Sequence, residues 1–119
     1  MIKKEANQNE IRQAITQLVE GNYKRAREMI NSALISDPEN KRLLILKADI
    51  LTRTNMDKEA EKLLANILSY ELSPRLNKLA LISKFELLLK SKRYSHANEI
   101  ISKLLKAYPD EHIVLEYKG

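Results

Sequence analysis

The chain of 119 residues has no cysteine and no tryptophan, two glycines, three prolines and a single phenylalanine. Each scarcity excludes something. Without cysteine there is no disulfide framework, no thiolate metal site and no thiol nucleophile, which suits a reducing compartment such as the cytoplasm. With Gly21 and Gly119 as its only glycines, the chain cannot build a glycine-rich loop to cradle phosphates. Collagen-like and linker-like chains are excluded too, and a hydrophobic share of 44% argues against intrinsic disorder. No uninterrupted apolar run approaches the ~18 residues of a membrane span. The opening "MIKKEANQNE" has two lysines with no apolar segment behind them, so it does not read as a secretory signal. The expectation is one soluble, cytoplasmic domain with a continuous core.

Charge is plentiful but uneven. The net charge is +5, yet residues 1–39 balance at six basic and six acidic side chains, while residues 74–107 hold eight against two. Arg75, Lys78, Lys84, Lys90, Lys92, Arg93, Lys103 and Lys106 carry the excess. They read either as a solvated helical surface or as a docking face that steers an acidic partner inward. A basic chain also raises nucleic acid as an alternative. Phe85 and Tyr94, however, fall at core-like places, so no stacking platform accompanies the charge, and no helix-turn-helix grammar appears.

What the chain does have is repetition. Ala26 and Ala60 follow a charged pair and Ala97 follows Ser95-His96, and all three precede an aliphatic stripe. The stripes are Met29, Ile30, Ala33 and Leu34, then Leu63, Leu64, Ile67 and Leu68, then Ile100, Ile101, Leu104 and Leu105. Their i, i+1, i+4, i+5 spacing makes one face of a helix. The alanines are 34 and then 37 residues apart, and the three extra residues fall in the loop-forming "SYELSPRLN". A second amphipathic segment precedes each alanine, striped by Ile11, Ala14, Ile15 and Leu18, by Leu43, Leu44, Ala48 and Leu51, and by Leu81, Phe85, Leu88 and Leu89.

Short breaks at Gly21-Asn22, Thr54-Asn55 and Lys92-Arg93 join the two segments of each pair, and breaks of that length force antiparallel neighbours. Asp37-Pro38, Ser73-Pro74 and Pro109-Asp110 punctuate the pairs, the first two reading as capped helix starts with proline in the first turn. Strand alternation and hairpin turns are absent. The expected fold is all-α, six helices and part of a seventh. The repeats run over about 7–40, 41–73 and 77–110, and residues 111–119 start a capping helix that turns Ile113, Val114 and Tyr117 inward.

Catalytic chemistry finds no footing in the residues. His96 and His112 are lone and suit surface or interhelix places, and no metal-ligand spacing appears. Glu59/Glu61 and Asp110/Glu111 lie at helix starts, where the helix dipole favours acids. The serines have no nucleophile-elbow context. The chain is expected to be neither an enzyme nor the carrier of a cofactor or metal.

The run "EGNYKRAREMINSALISDP" resembles a tetratricopeptide repeat, with its small-residue turn, tyrosine, alanine, large apolar residue, alanine-leucine and Asp-Pro. "KSKRYSHANEIISKLLKAYP" is similar, with lysine where glycine is usual, and "RTNMDKEAEKLLANIL" matches more loosely. The resemblance covers about residues 8–117. It implies antiparallel helix pairs stacked as a short right-handed α-solenoid with a concave groove, and a module that binds a peptide or amphipathic helix of another protein there. Small chaperones of bacterial secretion systems are of this kind. A scaffold or regulator of which this is one segment is the alternative in the same class.

By that resemblance the groove lining would be Arg42, Ile45, Leu46, Asp49 and Arg53, then Leu79, Ile82, Ser83, Glu86 and Lys90. The first repeat departs from the pattern. Glu10, Gln13 and Gln17 fall where the family packs large apolar groups, and Ile11, Ile15 and Leu18 fall where it faces the groove. Either the first helix is rotated by about 100°, or Ile11 and Ile15 open the groove as an aliphatic patch, for a partner or for a homodimer contact. The lysine, asparagine and arginine set with which some members grip a chaperone's carboxylate tail is missing, since Ile11, Ile15, Leu46, Leu79 and Ser83 occupy the matching places.

Overall fold

A computed structural model describes residues 8–108 of the chain. Among these residues there are six helices and no strand: α1 (Gln8–Val19), α2 (Tyr23–Ser36), α3 (Lys41–Arg53), α4 (Asp57–Leu68), α5 (Pro74–Lys90) and α6 (Tyr94–Ala107). The expected capping segment 111–119, the Pro109-Asp110 turn and His112 lie outside the described residues.

The same turn closes the first helix of every pair. Gly21, Asn55 and Lys92 all take positive φ, at 83°, 64° and 61°. The next amide in each case reaches back over one turn, from Asn22 to the Gln17 carbonyl, from Met56 to Leu51 and from Arg93 to Leu88, at 2.8–2.9 Å. Such a bond satisfies a carbonyl that the helix end would leave orphaned. Glycine suits the left-handed backbone without strain, asparagine tolerates it, and lysine does so at a cost. A Cβ at Gly21 would meet no atom within 4 Å, so the backbone angle alone calls for glycine there.

Starts differ from pair to pair. Ser73 caps α5, its hydroxyl accepting the Leu76 amide, and Pro74 opens the helix where its missing N–H is not needed. Asp37-Pro38 does not start a helix. Asp37 instead ends α2, buried, and its carboxylate accepts from the Asn40 amide group at 2.9 Å. Asn40 is the cap of α3, accepting the Leu43 amide at 3.1 Å.

Packing follows the repeated stripes. Ala26, Ala48, Ala60, Ala80 and Ala97 are fully buried at places where helices meet. A methyl side chain lets two helix axes come close, and the flanking Ile30, Leu64 and Leu104 then interdigitate across the seam. The core is one continuous run of three clusters. α3 lends Leu43, Leu46 and Ile50 to the first and Ile45, Ala48 and Leu51 to the second. α5 lends Ala80 and Leu87 to the second and Ile82, Phe85 and Leu88 to the third. No pair is closed by itself, as expected of stacked repeats.

α1 buries the same places as the next inner helix, Ile11, Ala14 and Leu18 corresponding to the buried Ile45, Ala48 and Thr52 of α3. Ile11, Ala14 and Leu18 face the core, Ile15 packs half-buried against it, and Gln13 is exposed. Ile11 and Leu18 are therefore buried and do not open an exposed aliphatic patch. α3 touches both α1 and α5, whereas α2, α4 and α6 make no contact with one another. A stack in which one row of helices touches and the other splays curves towards the touching row. The molecule is drawn out to 44 × 27 × 24 Å.

Two changes test this packing. Ala26→Leu or Ala60→Leu should force the helices apart and lower stability by ~1–3 kcal/mol, seen as a depressed melting temperature with helicity retained below it. Lys92→Gly should do the opposite, relieving the left-handed turn for a gain of about 0.5–1 kcal/mol.

Candidate functional site

The inner row of helices defines the face to be judged, and its residues divide by burial. Ile11, Ile45, Leu46 and Ile82, expected to line a groove, are only 6, 3, 5 and 8% exposed. Ser83 is buried as well. Ile45 shares a cluster with Ala80 and Leu87 of α5, so the neighbouring inner helix seals it. Leu46 and Ile11 are sealed between α1, α2 and α3, and Ile82 within the third cluster. These four belong to the core and are not a surface. Ile15 and Leu79 are half-buried at its edge.

What the inner face presents is charge. Arg42, Asp49 and Glu86 are half-buried on it, and Arg53 and Lys90 are exposed. Asp49 and Arg53, one turn apart on α3, pair at 3.1 Å. Burial pushes the Asp49 carboxyl above its ordinary value, against the opposing pull of Arg53 and Arg42. Burial likewise, helped by the positive charge of Arg75, holds the Arg42 guanidinium below its usual value, with Asp49 opposing. Arg53 goes the other way. Burial would lower it, but Asp49, the hydroxyl of Tyr23 and the more distant Glu86 outweigh that.

Two expected docking cations are engaged within the fold. Lys90 donates to the Thr52 carbonyl at the end of α3 and to the Asp57 carboxylate at 2.8 Å. Arg93 forms a two-pronged pair with Glu61, at 2.9 and 3.0 Å. That bond from Arg93 holds the Glu61 carboxyl below its usual range. Both pairs tie the third helix pair to the start of α4. Tyr23 and Asp57 were not singled out from the sequence, and Glu61 was read only as an acid at a helix start. A signal existed nonetheless. Lys90 and Asp57 stand 33 residues apart, and Arg53 and Tyr23 stand 30 apart. Once the three-residue insertion is removed, these are the same two places in successive repeats.

Clefts lie off this face and are shallow. One of about 320 Å³ runs between α1 and α2, lined by Glu10, Gln13, Arg25, Glu28, Met29 and Ser32. Another of about 340 Å³, beside Glu61, Lys84, Arg93, His96, Glu99 and Lys103, mixes both signs of charge. Among the described residues no group of three or more histidines or acids is placed to hold a metal ion. No helix among them is long and apolar enough to cross a membrane.

A family model described as Tetratricopeptide repeat matches residues 17–80, more than half of the chain, from the end of α1 into α5. No curated protein and no solved structure matches the chain.

The Glu61–Arg93 pair carries its own test. A double-mutant cycle on Glu61→Gln and Arg93→Gln should give a coupling of ~0.5–1 kcal/mol that shrinks in ~1 M salt. Because the Glu61 carboxyl titrates below its ordinary value of 4.5, its contribution is complete above that pH. It is lost as pH falls through the depressed folded value. Acid unfolding curves of wild type and Glu61→Gln should therefore converge at the acid end and separate above it.

Proposed function

Because the chain belongs to the tetratricopeptide repeat family, we propose that it is a non-catalytic protein–protein interaction module whose inner-helix face takes a peptide or helix of a partner protein. The observation that carries this reading is the state of the charges on that face. Arg42 and Asp49 are kept half-buried and shifted by burial on a surface, away from the core. Partly desolvated charges set direction and register when a complementary chain covers them, and they interact more strongly once water is excluded. The aliphatic side chains beneath them pack the inner helices against one another, and a face pre-organised in this way pays less to bind. A pre-organised, charged face fits a partner chosen by charge pattern, and the family's modules generally work this way on other proteins. An assembly chaperone and an adaptor would use the same face, differing in what becomes of the bound segment.

The experiment replaces Asp49→Asn and Arg53→Gln together, which leaves net charge unchanged. The pair is one turn apart and partly exposed, so its loss should cost only a few tenths of a kcal/mol and leave the helices intact by circular dichroism. Partner protein captured from the native cell should bind this variant about tenfold or more weakly. Lys62→Glu and Lys103→Glu, exposed on α4 and α6, should bind as wild type. The reverse pattern would place the partner on the outer helices and defeat the proposal.

A further inference from the structure

The two seams between helix pairs are fastened differently. At the second seam Lys90, at the end of α5, donates to the Thr52 carbonyl and to the Asp57 carboxylate at 2.8 Å. Arg93 grips Glu61 beside it with two bonds, at 2.9 and 3.0 Å. Both contacts tie the third pair to the second where α3 gives way to α4. Counted from the close-approach alanines, the same places at the first seam hold Arg53 for Lys90, Tyr23 for Asp57, Met56 for Arg93 and Arg27 for Glu61. No acid stands among those four. Arg53 is held by Asp49 of its own helix at 3.1 Å, and across the seam it has the neutral hydroxyl of Tyr23. Met56 and Arg27 cannot form an ion pair.

The inner helices repeat the difference. α5 touches α3 more extensively than α1 does, whereas α2 packs on α3 as fully as α4 packs on α5. The loop after α2 is a firm joint, because Asp37 is buried and accepts from Asn40, which in turn caps α3. The first pair is therefore fastened well along α2 and lightly along α1. One exposed ion pair adds little to a fold. A two-pronged arginine–carboxylate pair next to a lysine shared by a carbonyl and a carboxylate is a network with fixed geometry. Motion concentrates where such cross-connections are few.

We propose that α3 to α6 form one fixed body and that α1–α2 is a movable jaw, turning about the α2–α3 contact so that α1 swings towards and away from α3. Arg42, Asp49, Arg53 and Glu86 all stand on α3 and α5, so the fixed body keeps their spacing. α1 carries Ile15, half-buried, at the register place of Asp49, and Val19, 77% exposed, at that of Arg53. The jaw thus sets an aliphatic edge at variable distance beside a charge pattern of constant spacing. Closed is the resting state, since opening uncovers Ile11 and Leu46, now 6 and 5% exposed. The device goes beyond the inner-face reading and holds whichever face a partner takes.

The chain has no cysteine, so introduced cysteines carry spin labels at chosen places alone. Thr16→Cys with Ser102→Cys spans the jaw and the fixed body, and Ala65→Cys with Ser102→Cys lies within the fixed body. All three positions are exposed. Distances are read by pulsed electron double resonance. The jaw distribution should be the broader by about 1–2 Å, the scale on which helices shift at an interface. Met56→Arg with Arg27→Glu grafts the Arg93–Glu61 pair onto the first seam and should narrow the jaw distribution to the width of the body one. Met56→Arg alone brings in a like charge beside Arg27 and should not narrow it. Glu61→Gln with Lys90→Met should broaden the body distribution, and ~1 M salt, which screens ion pairs, should do the same without any substitution in the two seams.

Jaw and body distributions of equal width would overturn the proposal. So would a grafted pair that melts no lower than the parent yet leaves the jaw as broad as before. A body distribution unmoved by salt and by the Glu61→Gln, Lys90→Met protein alike would show that these contacts do not hold α5 and α6 in place, and the fixed body would fall with them.

Discussion

The close approach of helices at Ala26, Ala48, Ala60, Ala80 and Ala97 is the constraint on which the rest depends. A single pair of helices of this length has too little shared surface to offset the entropy of ordering its chain. The alanines bring axes together so that leucines and isoleucines from three or four helices close over one another. α3 and α5 each belong to two clusters as a result, and the inner helices touch. The face that the inner helices form together is a consequence of that contact. A larger side chain at these places would open the seam and expose aliphatic surface where the charges now stand.

Sealing the seam also sorts the residues along it. Ile45, Leu46 and Ile82 are drawn inward because a neighbouring helix covers them, while Arg42, Asp49 and Arg53 on the same helix row stay at the surface. The surface left on this row is polar over an apolar base. Such a face discriminates by sign and spacing, since like charges brought together cost more than an imperfect apolar contact.

The basic third quarter of the chain illustrates how repeats use charge twice. Lys90 and Arg93 hold the third helix pair to Asp57 and Glu61, and Arg53 meets Tyr23 one repeat earlier at the corresponding place. Each such contact crosses from one pair to the next on the edge where the turns lie. The remaining cations, Lys84 beside Glu61 among them, stand at or near the surface. Net charge alone therefore overstates what this region offers an acidic partner.

The helices, their pairing and the close-approach alanines were legible in the sequence, because periodicity and short turns act over a few residues and leave a pattern in them. The recurrence at Ala26, Ala60 and Ala97 was enough to place the stripes, and the lysine in the third turn already stood where glycine is usual. Local reading failed where a residue's partner lay in another repeat. Asp37-Pro38 carries the signature of a helix start, yet the Asn40 side chain turns Asp37 into the end of the preceding helix. Ile11 and Ile82 fell on the expected groove side of their helices, but burial is set by the packing of α1 against α2 and α3 and of α5 against α6, which no window of one helix contains. The sequence by itself determined which residues are helical and which stripe each helix must bury. Only the tertiary structure decided which helices touch, and hence which polar groups were left facing outward, because that depends on distances between segments some 30 residues apart.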